Sequence, residues 1–68
     1  MSGTYKKVEI VGTSPISYEE AIRAAVAEVS NTIRHMSWFE VTEMRGMLKD
    51  GKVAEFQVVL KIGFRVER

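Results

Sequence analysis

The sequence predicts an α+β chain of order β-α-β-β, in which one three-stranded antiparallel sheet wraps around one helix. Three observations carry that prediction. The segment from Ala54 to Val66 alternates apolar and polar residues, Ser17-Tyr18-Glu19-Glu20 has the form of a helix-capping box, and Asp50-Gly51 separates two long β-prone runs.

The first strand is predicted over about residues 4–12. Tyr5-Lys6-Lys7-Val8-Glu9-Ile10-Val11-Gly12 is rich in β-formers, and Gly12-Thr13-Ser14-Pro15 reads as its stop. The helix is predicted over about 18–35. Its Ser17 hydroxyl can accept from the Glu20 amide, and Tyr18, Ile22, Ala25, Val26, Val29 and Ile33 step by three or four to make one apolar face. Glu19 and Arg23 stand four apart with the acid first. Arg34 and His35 fall in the predicted last turn, where positive charge suits the helix dipole, so the helix is expected to end near His35 or Met36.

Strands over about 38–48 and 53–66 complete the sheet as a hairpin, because both central positions of a two-residue Asp-Gly turn need positive φ. Even positions Ala54, Phe56, Val58, Leu60, Ile62, Phe64 and Val66 are all apolar, so that face should cover the helix. The turn sets a register in which Lys49 pairs with Lys52, Leu48 faces Val53, Met44 faces Gln57 and Glu40 faces Lys61. Phe39 and Val41 then join the helix side. Trp38, Glu40, Thr42, Met44 and Leu48 join Glu55, Gln57, Val59 and Lys61 on the other. The same parity puts Glu43 and Arg45 on the helix side, which requires the strand to overrun the helix or to contain a bulge.

The 68 residues make a single domain, 1–68, with ten Lys and Arg against nine Asp and Glu, and no Cys. A chain of this size buries only about 60% of its unfolded surface, so the stabilising devices left without cysteine are oligomerisation, a ligand or very good packing. One helix covers one sheet face. The other face, bearing Trp38, Met44, Leu48, Val53 and Val59 in this register, therefore reads as an interface, a ligand site or both. A net charge of +1 lacks the basic footprint of a nucleic-acid binder. No stretch approaches the ~20 apolar residues of a membrane span, and together with the absent cysteine this leads to the expectation of a soluble cytoplasmic protein.

Catalytic groups are scarce. His35 is the only histidine, no cysteine is present, and Ser14, Ser17, Ser30 and Ser37 lack the setting of a nucleophile, so no enzyme is expected. No metal site is assigned either: Glu40 and Glu43 lie on opposite predicted faces, and only symmetry copies could add ligands. Gly12-Thr13-Ser14 lacks the glycine spacing of phosphate-binding loops and reads as a turn. Trp38 and Gln57 differ from these. An indole on an open sheet face offers a stacking platform, and a carboxamide on that face can read the polar edge of a flavin or nucleobase. Residue parity equally accommodates Trp38 packed into a neighbouring subunit with Gln57 at a wet rim. Arg45 is either a phosphate partner or a solvated surface residue.

The chain resembles the dodecins. The resemblance runs through Tyr5 to Ser14, Thr32-Ile33-Arg34-His35-Met36-Ser37-Trp38-Phe39-Glu40-Val41, Arg45-Gly46, Phe56-Gln57-Val58 and Ile62-Gly63-Phe64-Arg65, with matching length and block spacing. It implies a hollow homododecamer of bacterial type that binds flavin between symmetry-related subunits. It further implies that Trp38 stacks on the isoalloxazine, that the same residue of a symmetry mate closes the sandwich, and that Gln57 bonds the ring's polar edge. Arg45 is similar to the residue that approaches the flavin tail, favouring FMN over riboflavin, and Arg65 matches an arginine implicated in coenzyme A binding. The expected role is flavin storage, sequestration and photoprotection by quenching on Trp38, without catalysis. The alternatives are a structural assembly protein, a buffer for coenzyme A and flavin together, and, disfavoured for want of an acid, base or nicotinamide site, a small flavin reductase.

Overall fold

The computed structural model describes residues 3–66. Its elements are β1 (Tyr5–Ser14), α1 (Tyr18–Val29), β2 (Met36–Lys49) and β3 (Lys52–Arg65). They form one antiparallel sheet of order β1-β3-β2, the predicted α+β architecture. β3 is central because its even residues are the most continuous apolar row in the chain. Val58, Leu60 and Ile62 are essentially inaccessible and pack with Ala21 and Ala25 of α1. Burying side chains of this size contributes about 1.5–3 kcal/mol each, which fixes the face that β3 turns to the helix.

The helix lies close to the sheet because small residues meet there. A Cβ on Gly12 would overlap the Ala21 carbonyl oxygen and stand 2.8 Å from the Ala25 Cβ. Tyr18, Ile22, Val26 and Val29 flank this seam as half-buried residues, and Tyr18 meets Phe56 edge-on at 5.0 Å between ring centroids. Ser17 caps the helix as predicted, accepting from the Glu20 N–H at 3.0 Å, and Arg23 pairs with Glu19.

Both flanks of the helix depart from the expected bounds. β1 continues past Gly12 to Ser14, with Thr13 opposite Gln57 and Ser14 opposite Phe56, so Gly12-Thr13-Ser14 is strand rather than turn. The turn begins at Pro15, where the buried Ser14 hydroxyl accepts from the Ile16 N–H at 3.0 Å. At the other end α1 stops at Val29 instead of near His35. Ser30 and Thr32 explain the early stop: their hydroxyls donate to the carbonyls of Ala27 and Val29, Asn31 and Thr32 continue in tighter turns onto Glu28 and Val29, and the Ile33 N–H closes one last wider turn onto Val29. Arg34 and His35 consequently lie beyond the helix, and His35 takes a left-handed φ of 61° while its carbonyl accepts from the Arg65 N–H.

The Asp50-Gly51 turn forms as predicted, with φ of 53° and 76°, and sets Lys49 opposite Lys52 and Leu48 opposite Val53. The register then slips. Irregularities between Met47 and Leu48 and between Val41 and Glu43 shift the intervening stretch by one residue, so Met44 faces Val58 and Arg45 faces Gln57. Beyond the second bulge Glu40 again faces Lys61, as expected from the turn. Between the bulges, Glu43 and Arg45 therefore move to the outer face while Met44 moves to the helix side. This corrects the face assigned to all three and bears out the expected bulge. Leu48 and Val53, once the register is counted through the bulge, also leave the outer face.

Strand length sets the shape. A 14-residue strand spans about 46 Å at ~3.3 Å per residue, whereas a 12-residue helix spans about 18 Å. The hairpin must overrun the helix, and the molecule measures 50 × 20 × 13 Å. Met44, Met47, Leu48 and Val53 are exposed on the overhang. Phe39, expected in the core, remains 50% exposed beside the helix and with Ile22, Val26 and Ala27 lines an open apolar hollow of about 620 Å³. No helix among the described residues is long and apolar enough to cross a membrane.

Candidate functional site

The outer sheet face is assembled row by row across the three strands. Lys7 of β1, Gly63 of β3 and Trp38 of β2 form one row; Glu9, Lys61 and Glu40 form the next. Gly63 is the floor under the indole. A Cβ at that position would overlap the fused ring of Trp38, so the missing side chain is what lets the ring lie against the sheet. Tyr5 supports the ring from β1, with centroids 5.5 Å apart and planes tilted by 53°.

Trp38 also carries a polar tether. Its Nε1–H donates to Glu40 Oε2 at 3.0 Å, and the other carboxylate oxygen of Glu40 accepts from Lys7 Nζ at 3.1 Å. The indole N–H, first, and the Lys7 ammonium hold the Glu40 carboxyl below its ordinary value of 4.5, with a further charge contribution from Lys61.

Gln57 and Arg45 meet farther along the same face. Arg45 Nε donates to Gln57 Oε1 at 2.9 Å and its Nη1 donates to Glu43 Oε1 at 2.6 Å, while Gln57 Nε2 donates to Glu55 Oε1 at 3.0 Å. The Val41/Glu43 bulge makes this cluster, since in a regular register Arg45 would point away from Gln57. One N–H and one lone pair of the Gln57 carboxamide remain for a ligand, as do three of the five guanidinium donors of Arg45.

The distance between the two groups is decisive. Gly63, under Trp38, lies six residues from Gln57 along β3, which is roughly 20 Å of strand. That exceeds the length of a three-ring heterocycle, so Trp38 and Gln57 of one chain cannot both grip one ring. They share a face but do not form one contact set. Arg65 belongs to the Trp38 end, two residues beyond Gly63 and opposite Tyr5. Its guanidinium borders Gly3, and with Lys6, Arg34 and His35 it lines a basic cleft of about 470 Å³ at the sheet end. Among the described residues, no group of three or more His, Asp or Glu is placed to hold a metal ion.

Some of these residues escaped the reading of the sequence. Gly63 was visible only as a gap in the outer row of β3, and Glu40 as a partner for Lys61. The tether from Lys7 crosses the central strand, a connection that pairwise hairpin register does not reveal.

The family model described as Dodecin matches residues 4–67. The dodecin of Thermus thermophilus is 54% identical over 67 residues, spanning 98% of this chain and 97% of that protein. Among solved structures, the dodecin from Streptomyces coelicolor gives a TM-score of 0.93 at 52% identity, covering 96% of this chain and 93% of that one. A calcium dodecin from Mycobacterium tuberculosis, described as calcium-chelating, gives 0.82 at 27% identity, again covering 96% and 93%. With nearly the whole length matched and the β-α-β-β fold shared, the chain belongs to the dodecin family.

Proposed function

We propose that this protein is a non-catalytic flavin-binding protein that stores and sequesters FMN at an interface between copies of itself. Membership of the dodecin family supports flavin binding in general. The observation that carries the finer reading is Trp38: a half-buried indole laid on a glycine floor, on a sheet face that no element of its own chain covers. Such a ring presents one broad face to a planar partner. Two stacked aromatic contacts at about 0.5–1.5 kcal/mol each beyond area burial, with hydrogen bonds from Gln57, are adequate for micromolar binding.

The separation of Trp38 from Gln57 means that a ring held by both must lie between two chains. Stacking on Trp38 of one copy and edge recognition by Gln57 of another satisfies this requirement. Self-association is supported independently by the exposed apolar overhang at Met44, Met47, Leu48 and Val53 and by the hollow beside Phe39. A closed homododecamer is the assembly proposed. Direct indole contact would let Trp38 donate an electron to photoexcited flavin and quench it, which is the proposed route to photoprotection. Arg45, with donors to spare, meets the FMN phosphate. The cleft lined by Lys6, Arg34, His35 and Arg65 suits a second, polyanionic ligand of the coenzyme A kind. A cytoplasmic location completes the proposal.

Titrating FMN with protein while following flavin emission tests the reading. Saturable loss of emission is expected, and unchanged emission at saturating protein would refute it. Arg45→Ala separates the two flavins. It should weaken FMN about tenfold more than riboflavin, the loss of one charge-assisted contact, while both ligands share the loss of the Arg45–Gln57 hydrogen bond that holds the carboxamide. Equal loss for both ligands would remove Arg45 from the phosphate.

A further inference from the structure

We propose that Glu40, anchored by Lys7 reaching across the central strand, is the positioning residue that fixes the orientation of the Trp38 indole within its own plane, and that protonating Glu40 releases the ring and with it the flavin. The inference rests on the reading of Trp38 as the flavin platform.

Four features point to it. Trp38 has one polar side-chain atom, and that atom donates to Glu40 Oε2 at 3.0 Å. A glycine floor and a tilted Tyr5 edge limit how close the ring approaches the sheet, but neither stops its rotation in its own plane. A directed N–H···O⁻ bond does stop it. Glu40 is itself held: Lys7 belongs to β1 and Glu40 to β2, which are not neighbours, so the lysine reaches across β3 to meet the carboxylate.

The charged and titratable groups facing Glu40 are Lys7, Tyr5 and Glu9 on β1 and Lys61 on β3. Lys7 and Lys61 favour the carboxylate; Glu9, opposite Lys61, shares the positive charge of that lysine. Because the Glu40 carboxyl titrates below its ordinary value when folded, the tether is complete at neutral pH and is lost as pH falls through the folded value. FMN affinity should fall in the same window, below the usual carboxylate range.

Trp38 is the only tryptophan, so its near-ultraviolet circular dichroism can be followed in the flavin-free protein. The structured band is expected in the wild type at pH 7 and should fade as pH falls below the usual carboxylate range while far-ultraviolet dichroism persists. Glu40→Gln, the neutral isostere of the protonated carboxyl, should show the faded band at every pH. Glu40→Leu should lack it at every pH and bind FMN about tenfold more weakly at pH 7. Lys7→Met should shift the acid transition toward higher pH. A wild-type band that stays unchanged through the acid range, or a folded Glu40→Leu protein with the wild-type band and FMN affinity, would overturn the proposal. Should Glu40→Leu fail to fold, the wild-type titration and Lys7→Met still decide it. These dichroism readouts contain no flavin, so a wild-type protein that ignores FMN refutes the functional reading separately.

Discussion

Trp38→Ala is expected to abolish flavin binding, raising the FMN dissociation constant at least about 100-fold, while the chain still folds. The indole supplies the stacking surface, and nothing else on the outer face near Gly63 is flat and aromatic except Tyr5, whose ring is tilted by 53° to it. With alanine in place of the indole, the row through Lys7 and Gly63 would have no platform at all. The fold should survive because Trp38 lies outside the core of Ala21, Ala25, Val58, Leu60 and Ile62. Isothermal titration with FMN, with far-ultraviolet dichroism as the control for folding, checks both halves of the expectation. Near-normal affinity in the alanine variant would move the flavin site elsewhere.

Leu60→Ala should have the largest effect on stability, a loss of about 2–5 kcal/mol. Leu60 is fully buried at the centre of β3, opposite Ile10 on one neighbour and Val41 on the other, and faces the helix. Ala21 and Ala25, which pack there, are too small to fill the space left behind. Single domains are stable by only about 5–15 kcal/mol, and a chain this short lies toward the low end, so the variant is expected to unfold unless assembly rescues it. Urea denaturation at matched protein concentration measures the change, since association adds apparent stability by mass action. A loss below about 1 kcal/mol would contradict the packing described for this core.

These two residues also mark what could be read from the chain alone. The apolar parity of β3 identified Leu60 as core because a half-buried strand has a strict period of two, and only one face of that strand could be apolar throughout. The Asp50-Gly51 turn fixed the pairing at Lys49 and Lys52, and the capping box placed the helix start. Parity failed where a bulge inserts a residue. The sequence around Val41, Thr42 and Glu43 has no glycine to announce one, and the stretch between the two irregularities was shifted by one, which misplaced Met44, Glu43 and Arg45. Thr42 shows the local cause in the structure: its hydroxyl donates to the Val59 carbonyl at 3.1 Å, a side-chain bond at the site of the interrupted ladder. The helix end failed for a related reason. The apolar spacing continues through Ile33, but Ser30 and Thr32 use their hydroxyls on backbone carbonyls, a local competition that periodicity does not register.

For the site, chemistry was legible and distance was not. Trp38 and Gln57 were correctly placed on one face. Their separation by six residues of strand follows from numbering, and the row geometry of all three strands gives the physical reason why the proposed flavin site is shared between two chains, as the family resemblance implied. The near-neutral net charge accords with this, because copies that pack closely cannot carry a large charge of one sign.

Native mass spectrometry of the full chain with excess FMN shows whether one chain suffices to hold the ligand. FMN is expected only on homo-oligomers, with none on the single chain, because no single chain brings Trp38 and Gln57 to one ring. FMN retained on a monomer, or an assembled protein that takes up none at saturating concentration, would contradict it.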